Sequence, residues 1–284
     1  VTSFSTDPSG ARPAPQDALI VVPARFGSSR LPGKPLLKIA GRTLLERVVA
    51  VAQAAAAHAG DCDVLVATDD PRIADHARDL GVEVALTAAD LDSGSARAFA
   101  AAGLRERPPA IVVNLQGDAP FVSPLVVAQL IETQRQGGAD VVTPVYRLDW
   151  DRLDRLRTHK QVAPFSGTTC VRGPDGRALW FSKTILPALR EETALRQAGP
   201  LSPVWQHVGL YCYRIAALQW FAGAAPGPYE ALEGLEQLRF LENGWSIATV
   251  EIDPPRHALS GIDTPADLTL AEEAIARLGD PFPA

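Results

Sequence analysis

The chain has 284 residues, 46% hydrophobic and 21% charged, with a formal net charge of -6. That length supports one large domain or a domain with an inserted lobe, the acidic balance argues against a general nucleic-acid binder, and no apolar run reaches the about 18 residues of a membrane span. Three widely spaced cysteines, Cys62, Cys170 and Cys212, argue against a disulfide framework or zinc site and read as buried free thiols.

Residues 1 to about 17 are polar and Pro-rich, without the apolar core of a secretory signal, and read as a disordered tail on a cytoplasmic protein. Strand patterns follow at 18 to 24, 63 to 69, 82 to 87, 110 to 116 and 140 to 146. Helical patterns lie between them at about 43 to 58, 71 to 80, 93 to 103 and 123 to 137. Such alternation predicts an α/β fold, a Rossmann-like doubly wound sheet. The second half changes character: "GTTCVRG" and "RALWFS", separated by the turn-rich "GPDGR", read as a hairpin. A strand at 207 to 214, a helix at 229 to 244, a strand at 246 to 252 and a final helix from "DTPADL" complete the chain. The expectation is one α/β domain over 18 to 284 with a mixed sheet and a smaller hairpin-containing lobe at about 147 to 215.

The loop after the first strand, "GSSRLPGKP", looks like a phosphate-binding P-loop but departs from one. Five residues separate Gly27 from Gly33, and Pro35 stands where the magnesium hydroxyl belongs. The next helix starts only near Thr43, where "TLLE" forms a capping box with Glu46. What remains is side-chain charge, with Arg25, Arg30 and Lys34 at the carboxyl edge where open α/β sheets bind ligands. Guanidinium forks and an ammonium suit a triphosphate; taken by themselves, the same cations also describe a solvated basic loop.

Other segments carry readings of their own. In "NLQGDAP", Asp118 sits on a turn after an apolar strand, placed for a metal ion or for an Asx-turn. In "GIDTPADL", Thr264 is the better helix cap and leaves Asp263 available. "DSGSAR" puts Ser93 and Gly94 at a helix start, suited to a nucleotide base or to an ordinary cap. His207 and Tyr211, four apart on one expected strand, would share a face, while Glu236 and Gln237 fit the polar face of a helix.

Taken in order, "PARFGSSRLPGKPL", "VATDD", "DSGSAR", "NLQGDAPFV", "HVGLYCYR", "LEGLEQLRFLENG" and "GIDTPADL" resemble the CMP-KDO synthetase family, the 3-deoxy-manno-octulosonate (KDO) cytidylyltransferases, over residues 19 to about 278. The resemblance implies a nucleotide-diphospho-sugar transferase type of fold and a homodimer. It also implies Mg²⁺ on Asp118 and Asp263, CTP on Ser28, Thr68, Asp69, Ser93, Gly94, Arg97 and Gln116, and Arg25, Arg30 and Lys34 as the catalytic cations. A small anionic acceptor would meet Lys183, His207, Tyr211, Glu236 and Gln237.

Two departures bear on that acceptor. Lys183 in "WFSK" replaces the family's arginine, and "THKQVAPFSGTT" does not follow the family pattern, so Lys160 is a candidate second contact. The expected reaction is CMP transfer from CTP to a KDO-type sugar acid. The alternatives are the same transfer to a phosphonate such as phosphonoformate, and a non-catalytic nucleotide-binding module. A dinucleotide-dependent oxidoreductase would need G-x-G-x-x-G, which "RFGSSRLPG" lacks.

Overall fold

The run ALIVVPA has almost no polar group to offer water, and it forms the buried strand β1 (Ala18–Ala24), flanked by parallel neighbours on both sides. Two short strands, β2 (Lys38–Ile39) and β3 (Arg42–Thr43), follow and pair with each other. Then come α1 (Leu44–Ala59), β4 (Cys62–Thr68), α2 (Pro71–Asp79), β5 (Glu83–Leu86), α3 (Gly94–Gly103), β6 (Ile111–Asn114), α4 (Pro124–Gln136) and β7 (Val141–Asp149). The second half supplies α5 (Trp150–Val162), β8 (Thr169–Arg172), β9 (Ala178–Ser182), α6 (Glu192–Ala198), β10 (Leu201–His207) and β11 (Tyr211–Arg214). It ends with α7 (Ile215–Gly223), α8 (Pro228–Glu233), α9 (Gln237–Glu242), β12 (Ile247–Glu251) and α10 (Pro265–Leu278). The computed structural model describes residues 17–27, 31–91, 93–257 and 261–281. The expected tail, Asp17 apart, lies outside them, as do Ser28 and Arg30.

Ten strands form one sheet in the order β5-β4-β1-β6-β11-β7-β10-β8-β9, with β12 also paired to β7. The β5-β4-β1-β6 half is parallel; β11 runs against β6 and opens the antiparallel half. Alternate residues of β1 serve the two faces. Ile20 and Val22 join one core with α1 and α4, while Leu19 and Val21 join the other with α3 and α7. The expected hairpin is present as β8 and β9, and it extends this same sheet through β10.

Two expected elements are each interrupted. The strand at 207 to 214 splits into β10 and β11, which follow one another along a single edge of β7 and leave residues 208–210 between them. Pro144 in β7 explains the break, because it accepts from Val208 N–H but has no N–H to return. The helix at 229 to 244 breaks into α8 and α9 at Gly234, whose φ of +63° ends α8 in a left-handed cap. The helices α5 and α6 carry few buried apolar residues: α5 buries only Trp150 and Leu153, and α6 none. No apolar stripe announces either in the sequence.

Candidate active site

The loop after β1 folds back on itself. Gly33 N–H donates to the Phe26 carbonyl at 3.1 Å, and Gly33 takes φ +66°, a conformation that favours glycine. Lys34 then opens a single 3-10 turn, Lys34–Leu36, rather than an α-helix. The helix α1 begins only at Leu44, with the Thr43 hydroxyl accepting from Glu46 N–H at 3.0 Å. The helix that follows this loop therefore does not begin on it, as it would in a P-loop.

The Lys34 ammonium sits between two carboxylates, 2.8 Å from Asp118 Oδ2 and 3.1 Å from Asp263 Oδ1. Asp118 arrives from the turn after β6. The turn is forced close to β1: a Cβ at Gly117 would lie 2.3 Å from the Pro23 carbonyl oxygen. Asp263 arrives from the entry to α10, where Thr264 is the N-cap and Asp267 accepts from both Asp263 N–H and Thr264 N–H. Two hard carboxylates already aimed at one cationic centre are the donor type magnesium takes. Among the described residues no cluster of three or more His, Cys, Asp or Glu is arranged for a metal. A divalent ion here would complete its shell with water and phosphate oxygens.

Around this centre lies a cavity of about 200 Å³, lined by Arg25, Lys34, Ser93, Gly94, Arg97, Gln116, Asp118 and Asp263. Gly94 lies close against the Gln116 amide, which a Cβ would approach to 3.1 Å. Ser93 caps α3, its hydroxyl accepting from Ala96 N–H at 3.1 Å. Arg97 is almost wholly buried and donates to the Thr87 hydroxyl, while its Nη2 has no hydrogen-bond partner among the described residues. Burial works against the Arg97 charge, Asp69 at 3.9 Å supports it, and Arg25 opposes it. Among the described residues, Asp69 Oδ1 is likewise buried without a hydrogen bond. The Thr68 hydroxyl accepts from Asp70 N–H at 3.2 Å and holds the turn after β4.

The expected acceptor residues gather on the antiparallel side. The broken strand places His207 and Tyr211 on different strands rather than on one face of a continuous one, yet their rings lie 5.4 Å apart between centroids. Thr143 Oγ1 is 2.8 Å from both His207 Nε2 and the Leu210 carbonyl. Since that carbonyl takes the hydroxyl proton, Thr143 accepts from His207 Nε2–H, which leaves the Nδ1 lone pair as the ring's remaining hydrogen-bonding position. Burial first, and the Lys183 charge second, bring the His207 pKa down from 6.5 to about 3, so the ring is neutral. Burial also pushes up the Tyr211 phenol and the Glu236 carboxyl, the latter eased by a 2.9 Å hydrogen bond from Ser95. Gln237 is buried, and its Nε2 has no hydrogen-bond partner among the described residues.

Lys160, the candidate second acceptor contact, turns its ammonium toward the protein's own main chain. Its ammonium is occupied by main-chain carbonyls, including those of Gly167 at 3.1 Å and Lys183 at 2.6 Å. Ser95 and Asn114 had no signal of their own in the sequence beyond a polar residue ending an apolar strand. Asn114 Nδ2 donates to Ser95 Oγ at 3.3 Å, and Ser95 donates to Glu236, so these two residues tie the α3 side to the acceptor side.

A family model described as "Cytidylyltransferase" matches residues 19–251. The chain is 39% identical to 3-deoxy-manno-octulosonate cytidylyltransferase of Maricaulis maris (strain MCS10), covering 92% of this chain and 98% of that one. It is 40% identical to the protein of the same name in Xylella fastidiosa (strain M12), covering 90% and 96%. Among solved structures it resembles CMP:2-keto-3-deoxy-manno-octonic acid synthetase complexed with CTP. There the TM-score is 0.78 and the identity 33%, over 92% of this chain and 99% of that one.

Proposed function

Because the chain belongs to the 3-deoxy-manno-octulosonate cytidylyltransferase family, we infer that it transfers CMP from CTP to a KDO-type sugar acid and releases pyrophosphate. The observation that carries this reading is the Lys34 ammonium held between Asp118 and Asp263 in a cavity that Gly94 and Gln116 also line. Nucleotidyl transfer asks a protein chiefly for positioning and charge neutralisation. In this reading Lys34, Arg25 and Arg30 take the triphosphate charge, and Gly94 leaves room for the nucleoside beside the Gln116 amide. Asp118 and Asp263 would hold Mg²⁺, which when bound neutralises phosphate oxygens and lowers the pKa of a nearby hydroxyl.

The acceptor side supports a polyhydroxy monocarboxylate. The cluster around His207 offers one ammonium, Lys183, with the neutral His207 ring and the protonated Tyr211 phenol for hydroxyl groups. The Lys160 ammonium donates to main-chain carbonyls, which leaves Lys183 as the cation of this cluster without a direct partner among the described residues. The names of the relatives also favour the sugar acid. A homodimer and a cytoplasmic setting belong to the same proposal, and light scattering tests the first. Among the described residues, no helix is long and apolar enough to cross a membrane.

The activity is tested by pyrophosphate release with CTP, Mg²⁺ and KDO. Asp118→Asn and Lys34→Ala are each expected to lower the rate at least 100-fold. The Asp118–Lys34 pair is partly exposed, so its loss costs stability only about 0–1 kcal/mol. Wild-type turnover of phosphonoformate in preference to KDO would overturn the acceptor assignment. Full activity in both variants would overturn the catalytic one.

A further inference from the structure

Lys183 directly follows the edge strand β9, and both of its main-chain polar groups are held by side chains from elsewhere. Its N–H donates to Glu233 Oε2 at 2.7 Å, and its carbonyl accepts from Lys160 Nζ at 2.6 Å. The neighbouring residues are fixed in the same way. Ser182 Oγ donates to Glu233 Oε1 at 2.8 Å, Thr184 N–H donates to Ser182 Oγ at 2.9 Å, and Thr169 Oγ1 donates to the Thr184 carbonyl at 2.7 Å. Lys160, on the last turn of α5, also reaches the carbonyls of Ser166 and of Gly167, the latter at 3.1 Å. One ammonium therefore ties carbonyls of the 164–167 segment to the carbonyl of Lys183.

By contrast, the Lys183 ammonium makes no direct hydrogen bond or ion pair among the described residues; burial works against its charge, the Glu233 carboxylate supports it from beyond contact distance, and that charge is felt at His207. A fixed backbone carrying an unpaired, half-buried cation is a prepared anion contact. The segment that provides Lys160 is also one that departs from the family pattern. A flexible lysine in place of an arginine fork gains most from such anchoring, because its point charge supplies no geometry of its own.

We propose that Lys160 and Glu233 are positioning residues for acceptor binding. They hold the Lys183 main chain from its carbonyl and amide sides so that the Lys183 ammonium meets the acceptor carboxylate. The proposal rests on the cytidylyltransferase reading above. It predicts that Lys160 matters to the acceptor through Lys183 alone and does not matter to CTP.

The test is a double-mutant cycle in the full-length enzyme, with kcat/KM for KDO measured at saturating CTP and Mg²⁺, and KM for CTP measured separately. Lys160→Met is expected to lower kcat/KM for KDO about 10-fold while KM for CTP changes less than about twofold. Lys183→Met is expected to lower kcat/KM for KDO about 100-fold, and adding Lys160→Met to it to lower it no further. Glu233→Gln, which keeps an oxygen acceptor but loses the charge, enters the same cycle if Lys160→Met fails to fold. An equal loss from Lys160→Met in the wild-type and Lys183→Met backgrounds would overturn the proposal, as would a parallel rise in KM for CTP. A wild-type enzyme that releases no pyrophosphate from CTP with KDO would remove both the proposal and the activity on which it rests.

Discussion

Single residues divide here into those whose chemistry is local and those whose role depends on a distant partner. Lys34, Asp118 and Asp263 stand in short motifs with Gly and Pro around them, so their candidacy was legible in the sequence; that one ammonium would bridge both carboxylates was not, since Asp263 is 229 positions away. The link from Ser95 to Glu236 spans 141 positions and has no local signature. His207 depends still more on its surroundings. Its buried, neutral ring costs nothing while the unfolded chain also keeps histidine neutral, that is, above about pH 6.5. Below that, the unfolded state binds a proton that the folded state refuses until about pH 3, so folding stability falls as pH drops through this window. His207→Gln, which keeps a polar side chain but cannot be protonated, is expected to flatten that part of the acid limb. Thermal unfolding of both proteins from pH 7 to pH 4 checks this. Parallel curves would show that other groups govern the acid limb.

Whole elements were read best where an apolar stripe or run stood out. The alternation of β1, α1, β4, α2, β5, α3, β6 and α4 falls within a residue or two of its expected bounds, because each of these elements buries a face against the sheet. The helix α5 was missed since Arg, Asp and Lys dominate WDRLDRLRTHKQV. Its start is set instead by the Asp149 cap on Arg152 N–H at 2.7 Å. The broken strand at residues 208–210 turned on a residue in another strand, Pro144, which a local pattern does not contain. The turn from β6 to Asp118 carries a prediction at this scale. Gly117 has an ordinary backbone conformation, so the need for glycine comes from the approach of the Pro23 carbonyl rather than from strain in φ. Gly117→Ala must push β1 and this turn apart, at a cost of about 1–3 kcal/mol. It would carry Asp118 off the line shared with Lys34. Melting temperature and pyrophosphate release are both expected to fall, the rate by more than the stability loss explains. Unchanged activity would mean that the turn relaxes without moving the carboxylate.

At the level of the whole molecule, the mixed sheet and its two faces follow from the pattern of strands and helices. The strand order does not, because β11 enters between β6 and β7 only after a long excursion through β8, β9 and β10. The chain end is docked by a contact of the same long-range kind. Arg47 is fully buried on α1 and donates from Nε and Nη2 to the Ile39 carbonyl at 3.0 and 2.7 Å. It also grips Asp280 in a fork at 2.8 and 2.9 Å. The guanidinium thus joins the β2–β3 turn, α1 and the segment after α10, which packs beside β2. Arg47→Met fills much of the same volume but leaves the Ile39 carbonyl and the Asp280 carboxylate without their shared donor, at a cost of about 3 kcal/mol. For a chain of this size that corresponds to a fall of roughly 6–10 °C in Tm. Lysine does not reproduce a planar fork, so Arg47→Lys is expected to recover little of the loss. Asp280→Asn keeps an oxygen acceptor on a partly exposed side chain and should cost less than half as much. Arg47 lies outside the cavity lined by Lys34 and Asp118. Well below the melting transition, kcat/KM for both substrates should therefore stay within about twofold of wild type. Calorimetry with steady-state rates at 20 °C separates the two quantities, and a large activity loss at that temperature would show that the docked chain end reaches the site.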